Sequence, residues 1–264
     1  MNETPEGVSA ALSRTALYVE GHGGPFDLAR LSALLPVALR KGDWIREPVP
    51  PQPPQNSDGG WPAPWSEGAS SLDATCLVLD LVSDFATLPP QVDAPAAVAF
   101  LTSSQLDDGT WREGPSYRTP DHLMPGSAAA RAYLTANCAR ALAALQGPQH
   151  AIERAAQSLE RLLDPHGRLP GGLPAHWLGA RVLRAVGHDL AARRLLDVVG
   201  RSFDTLSAPD LVWFGSNTPT GDRWTRRIAA RLTAIQAEDG WWPGDDGEPS
   251  ASVSVTACRV LLRA

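Results

Sequence analysis

One seven-residue pattern occurs three times in this chain and limits what it can fold into. Gln55-Asn56-Ser57-Asp58-Gly59-Gly60-Trp61 is the first copy, Gln105-Leu106-Asp107-Asp108-Gly109-Thr110-Trp111 the second, and Gln236-Ala237-Glu238-Asp239-Gly240-Trp241-Trp242 the third. All three read Q-x-x-D-G-x-W without a gap. Exact recurrence of four positions marks a repeat architecture, in which one supersecondary unit packs against copies of itself. Asp-Gly closes a helix because glycine accepts the positive φ needed past a C-cap.

The segment after each copy also recurs. Trp61 leads after 14 residues to Thr75 in Ser71-Leu72-Asp73-Ala74-Thr75-Cys76-Leu77. Trp242 leads after the same interval to Thr256 in Ser252-Val253-Ser254-Val255-Thr256-Ala257-Cys258, which aligns Ser254 with Asp73. After Trp111 the interval stretches to 24 and reaches Thr135. Ser, Asp or Thr then caps the next apolar helical run. The unit is helix, turn, Pro/Gly-rich loop, helix. A degenerate copy surrounds Asp164-Pro165-His166-Gly167, and the hairpins begun by His176-Trp177 and Asp210-Leu211-Val212-Trp213 lack the standard turn.

Along its length the chain alternates two kinds of helix. Those after the turns, termed inner, are predicted at about 6–20, 71–85, 131–146, 174–187, 207–214 and 250–263. Those before the turns, termed outer, are predicted at about 26–40, 94–105, 150–163, 189–201 and 222–236, with Pro36 kinking or ending the first of them. That makes eleven helices and no strand pattern. Pro48 to Gln55 reads as a stiff connector and not as a domain boundary, so 1–264 is expected to form one domain.

These repeats, each leading into an inner helix with an S-x-D/S-x-T-A/C start, resemble those of squalene–hopene cyclases, class II terpene cyclases and protein prenyltransferase β subunits. The likeness runs from about Gln55 to Ala264. It implies an all-α fold, an α/α toroid of the α6/α6 type, with inner helices around a lumen. By that resemblance Gln55, Trp61, Gln105, Trp111, Gln236 and Trp242 staple one hairpin to the next. Class II cyclases carry D-x-D-D-T at the start of an inner helix, and its middle Asp protonates an alkene or epoxide. Here the aligned residues are Ser71 to Thr75, and of the three motif Asp residues only the middle one, Asp73, survives. It is a catalytic acid on that reading and a plain helix N-cap on the other. A donor must also be protonated near neutral pH, against a helix dipole that favours the carboxylate. The Asp-Cys-His set of a prenyltransferase is absent from the sequence, so neither metal nor cofactor is expected.

Helical spacing extends the candidate site. Residues seven apart lie on nearly one face, so Asp80 joins Asp73. Counting five from each repeat Thr gives Asp80, Arg140 and Leu261, with Arg181 at about the same place in another hairpin. Opposite charges on neighbouring inner helices suggest an ion pair that either neutralises buried charge or lines a polar cavity. Loops before the inner helices add Trp65, Glu67, His122, Tyr133, His176, Trp177, Asp210 and Trp213, where aromatic faces could meet an isoprenoid or its cation. His176 and Asp210 join Asp73 as catalytic candidates. Two acidic loops, Asp43 to Glu47 and Gly244 to Glu248, read as solvated turns.

Composition narrows the classes. The chain has 264 residues, a net charge of −6 and no Lys/Arg cluster, which argues against nucleic acid as partner. Its first residues lack the marks of a signal peptide, no apolar run suggests an integral membrane protein, and three scattered cysteines form no disulfide framework. A cytoplasmic setting is the expectation. The leading functional expectation is a small bacterial terpenoid-type cyclase, an isomerase or lyase of secondary metabolism, acting on an isoprenoid-like small molecule. A homodimer or partner subunit would cover the barrel mouth. The alternatives are a toroid that cyclises a charged non-terpene intermediate, and a non-catalytic binding or scaffold subunit.

Overall fold

The computed structural model describes residues 5–35, 49–114 and 117–264. The chain is mostly helical, with eleven α-helices among the described residues. In chain order they are α1 (Pro5–His22), α2 (Pro25–Leu34), α3 (Leu72–Val82), α4 (Ala94–Ser103), α5 (Ala128–Ala144), α6 (Gln149–Leu162), α7 (Leu173–Ala185), α8 (Asp189–Arg201), α9 (Ala208–Ser216), α10 (Arg223–Ile235) and α11 (Ala251–Leu261). Each corresponds to one predicted helix. Helix α2 ends at Leu34, before Pro36. The acidic loop from Asp43 to Glu47 lies outside the described residues.

The helices belong to two compact units. A central unit comprises Gln52–Asp80 and Gln91–Asp204, and a terminal unit Met1–Pro51, Leu81–Pro90 and Thr205–Ala264. In the central unit α5 packs on α6 and α7, and α7 packs on α8. In the terminal unit α11 packs on α1, α2, α9 and α10. The two kinds of helix differ in how they bury. Leu134 through Leu142 of α5 and Ser254 through Leu261 of α11 are buried continuously, on every face. Outer helices bury one stripe, such as Ala151, Ile152, Ala155, Ala156 and Leu159 of α6, or Trp224, Ile228, Ala229 and Leu232 of α10. Spacings of three and four residues make that stripe.

The repeat motif is a set of hydrogen bonds. Its glycine has φ of +92° at Gly59, +80° at Gly109 and +92° at Gly240. A Cβ on Gly59 would lie 2.2 Å from the Ala96 carbonyl oxygen, so both conformation and space demand glycine. The motif Gln spans its own turn and reaches the next helix. Gln55 Nε2 donates to the Gly59 and Asp93 carbonyls, and Gln55 Oε1 accepts from Asp93 N–H at the start of α4. Gln105 does the same to Gly109 and to Ala151 of α6, and Gln236 to Gly240 and to Ala11 of α1. The motif Trp side chains are fully buried. Trp111 and Trp242 donate their indole N–H to carbonyls ten residues upstream, at Leu101 of α4 and Leu232 of α10. Trp61 has no such helix behind it, since Pro51 stands at that distance, and its indole N–H has no partner among the described residues.

A second bond pins the turn to the inner helix, and it corrects the expected register. Trp61 N–H donates to Thr75 Oγ1 at 2.9 Å, and Trp111 N–H to Thr135 Oγ1 at 3.4 Å. Trp242 N–H goes to Ser254 Oγ at 3.1 Å, not to Thr256. Short antiparallel ribbons show why. Strand β1 (Trp61–Pro62) pairs with β2 (Ser70–Ser71), placing Trp61 opposite Ser71, whereas β3 (Trp242–Pro243) pairs with β4 (Pro249–Ser250), placing Trp242 opposite Ser250. The third loop is two residues shorter. Ser254 therefore matches Thr75, Ser252 matches Asp73, and the residue five beyond the pin is Arg259 instead of Leu261.

The degenerate turn is a fourth copy of the same device. Asp164 N–H bonds the Arg168 carbonyl and Gly167 N–H the Asp164 carbonyl, as Asn56 with Gly60 and Gly59 with Asn56 do in the first copy. Leu169 thus stands where the others have Trp, and its N–H donates to His176 Nε2 at 3.2 Å. In this register the residue five beyond the pin is Asp80, Arg140, Arg181 or Arg259, charged in all four copies.

Candidate active site

Helix α3 opens on a Ser whose hydroxyl accepts from Ala74 N–H, so Ser71 is the N-cap. The remaining donors of that first turn go to a residue 40 positions away. Glu113 Oε1 accepts from Asp73 N–H at 3.0 Å and from Ser71 Oγ at 2.8 Å, while Oε2 accepts from Leu72 N–H at 3.1 Å. Tyr117 hydroxyl donates to the same Oε2 at 2.6 Å. A buried carboxylate with four donors at a helix N-terminus is favourably placed.

Asp73 is consequently not the cap. Its side chain turns to α5, where Tyr133 hydroxyl donates to Oδ1 at 2.5 Å and Asn137 Nδ2 approaches the same oxygen at 3.4 Å. Asn137 also donates to the Tyr133 oxygen. Oδ2 has no hydrogen-bond partner among the described residues. The Asp73 side chain keeps part of its surface accessible while protein crowds around it. Desolvation pushes its carboxyl above the ordinary carboxylate range; the Tyr133 bond opposes this, the Glu113 charge adds to it, and His122 and Asn137 pull it down. Burial and the Asp73 charge raise the Tyr133 phenol well above its usual value, so it remains a donor.

Behind this pair lies a closed ion pair. Arg140 Nη1 meets Asp80 Oδ1 at 3.0 Å, and its other nitrogens donate to the Cys76 carbonyl and to Asn137 Oδ1. The ion pair between neighbouring inner helices is present, and three protein acceptors engage all three guanidinium nitrogens. Arg140 orients Asn137, which in turn holds Asp73. Two buried thiols, Cys76 and Cys138, face each other at 3.8 Å beside it.

The other sequence candidates fall into different surroundings. His176 is buried with both ring nitrogens committed: Nδ1 lies 3.0 Å from the Gly172 carbonyl and Nε2 accepts from Leu169 N–H. A carbonyl can only accept and an amide only donate, so the ring is the neutral Nδ1–H tautomer. It does for α7 what Thr75 does for α3. Asp210 completes a capping box with Ser207 at the start of α9. Neither is joined to Asp73 by a hydrogen bond. Trp177 is buried in α7, and Trp213 of α9 is half-buried. Trp65 packs against the Tyr117 ring at 5.4 Å, which brings it to the Glu113 loop. Glu67 is exposed at the tip of the first repeat loop, and His122 is exposed in a single 3₁₀ turn (Asp121–Leu123), near enough to act on Asp73 electrostatically. The Gly244–Glu248 loop is a surface turn closed by Asp246.

Sequence reasoning missed Glu113, Tyr117 and Asn137. Asn137 was within reach, being one helical turn beyond Tyr133. Glu113 and Tyr117 lie in the stretch that lengthens the second interval from 14 to 24 residues, and that excess was the signal. No group of three or more His, Cys, Asp or Glu among the described residues is arranged to hold a metal. No helix among them is long and apolar enough to cross a membrane. Comparison with protein-family models gives no match, and neither does comparison with curated proteins.

Proposed function

We propose that this chain is an acid-initiated cyclase of a neutral, isoprenoid-like small molecule, with Asp73 as the proton donor. One observation carries the reading: Asp73 is held by two donors on Oδ1 and leaves Oδ2 to a substrate. In the protonated acid Oδ1 is the carbonyl oxygen, which suits the Tyr133 and Asn137 donors, and Oδ2 bears the proton. Transfer of that proton to a terminal alkene carbon makes a new C–H bond and a carbocation on the adjacent carbon. The electron pair of the old O–H bond stays on the carboxylate, which the same two donors stabilise. Ring closure by a second alkene and loss of a proton complete an isomerisation. The raised carboxyl of Asp73 favours the donor state. Pairing of Arg140 with Asp80, and its bonds to Asn137 and a carbonyl, support an uncharged substrate over a charged one. A second copy of the chain, or a partner subunit, would complete the enclosure that carbocations need.

The test is turnover of linear polyprenyl alkenes and alcohols, with products resolved by gas chromatography and mass spectrometry. Asp73→Asn should abolish cyclised product while the protein stays folded. Unchanged turnover in that variant refutes Asp73 as the acid, and the absence of turnover by the unmodified chain, alone and with a co-purifying partner, refutes the reading as a whole.

A further inference from the structure

A helix N-terminus is the wrong place for a carboxylic acid that must keep its proton. The amide N–H groups of the first turn and the helix dipole both stabilise the anion, and Asp73 is the second residue of α3. The structure resolves the conflict with another carboxylate. Glu113 is almost fully buried and accepts from Leu72 N–H, from Ser71 hydroxyl and from the amide N–H of Asp73 itself. Tyr117 ties the loop bearing Glu113 to α3, since its hydroxyl lies 2.6 Å from Glu113 Oε2 and 3.2 Å from the Ser70 carbonyl.

We infer that Glu113 is a positioning residue: it occupies the donors of the α3 N-terminus, so Asp73 cannot become that helix's capping anion and its carboxyl is left to Tyr133 and Asn137. Glu113 acts in two ways. It withdraws from Asp73 the hydrogen bonds that would favour its ionised form, and it sets a fixed negative charge beside it, which disfavours a second one. The titratable and charged groups around Asp73 are Glu113 and His122 from the stretch after Trp111, Tyr133, Cys138 and Arg140 from α5, and Cys76 of α3 itself. Of the two cation-forming groups among them, His122 is exposed to solvent, and Arg140 is paired with Asp80 and reaches Asp73 only through Asn137. The Tyr117 phenol is pushed up by burial and by Glu113, so it remains a donor to that carboxylate. This role rests on Asp73 being the acid, yet it concerns the proton on Asp73 and can be measured without substrate.

The experiment tracks the Asp73 carboxyl carbon by NMR in 13C-aspartate-labelled protein across a pH titration, with the resonance assigned from Asp73→Asn. Glu113→Gln should move the Asp73 midpoint downward, whereas Tyr117→Phe, which keeps the Glu113 charge, should leave it in place. Where Glu113→Gln yields no folded protein, Glu113→Ala replaces it, because water can then take the vacated donors. An Asp73 midpoint that stays put when the charge is removed overturns the inference, and so does one that moves equally in Tyr117→Phe. With turnover established, kcat of the Glu113 variant at a pH above the midpoint should fall about tenfold for each unit by which the midpoint drops, with KM unchanged. Should Asp73→Asn prove fully active, the functional reading fails while the titration result still stands on its own.

Discussion

The first and third copies of the repeat are built alike and set in different chemistry. In both, a Trp N–H pins a hydroxyl in the first turn of an inner helix, that hydroxyl bonds the carbonyl four residues back, and a charge comes five residues on. Two residues before the pin they diverge. In α3 that residue is Asp73, met by a phenol and an amide. In α11 it is Ser252, met by a guanidinium: Arg30 Nη1 reaches Ser252 Oγ at 3.3 Å, and Arg30 also donates to Thr256 and to Asp84. Asp84 bridges Arg30 and Arg259, both buried. The pin position belongs to the scaffold. Whatever the adjacent helices deliver to the residue two before it decides whether that place holds a tunable acid or a neutralised charge cluster.

Several substitutions bear on this contrast, and turnover should respond most. Asp73→Ser, which copies the third repeat into the first, should abolish cyclisation as fully as Asp73→Asn. Adding Ser252→Asp should not restore it, because Arg30 would hold the new carboxylate ionised; product from the double variant would show that the repeats are interchangeable. The Glu113 variants come next, with a loss of kcat graded by the fall in the Asp73 midpoint. Stability should respond at the terminal cluster: Asp84→Asn leaves two buried guanidinium groups without their shared anion and should cost about 3–5 kcal/mol in urea unfolding. A cost near zero would mean that Asp27, 3.6 Å from Arg30, suffices.

The fourth copy offers a pH test. His176→Ala leaves the Leu169 amide without its acceptor and should cost about 1–3 kcal/mol, with His176→Thr recovering part of it only if the shorter hydroxyl still reaches. Burial lowers the His176 pKa below its ordinary 6.5. The unfolded chain therefore binds the proton more readily than the folded one, so this contribution is complete above pH 6.5 and declines as pH falls below it. Unfolding measured across that window should show a decline that His176→Ala removes. The smallest effect separates the indoles. Trp111→Phe loses a hydrogen bond to Leu101 that Trp61→Phe never had, so it should destabilise by about 1 kcal/mol more.

Much of the framework is readable in the sequence because it depends on local chemistry. Apolar stripes with helical spacing mark the outer helices, apolar runs after a capping Ser, Asp or Thr mark the inner ones, and Asp-Gly with its positive φ marks the turns. The ion pair of Asp80 with Arg140 comes from counting along α3 and α5. The alignment of Thr256 with Thr75 failed because matching side-chain type cannot see a loop two residues shorter. His176 and Asp210 stood out as exceptions to the repeat, and the structure uses both as helix-start hardware: an imidazole in place of a hydroxyl, and the acid of a capping box.

The repeating unit, its helices and the place where a solitary acid would stand are legible along the chain, since each depends on contacts within a few residues or on strict periodicity. What surrounds that acid is set by packing between distant segments. Glu113 and Tyr133 reach Asp73 from 40 and 60 residues away, and such approaches come from how α5 and the long loop after Trp111 pack against α3. Whether Asp73 caps α3 or turns to Tyr133 is decided at that level, because the competition for the α3 donors is between side chains that are neighbours only in the folded chain.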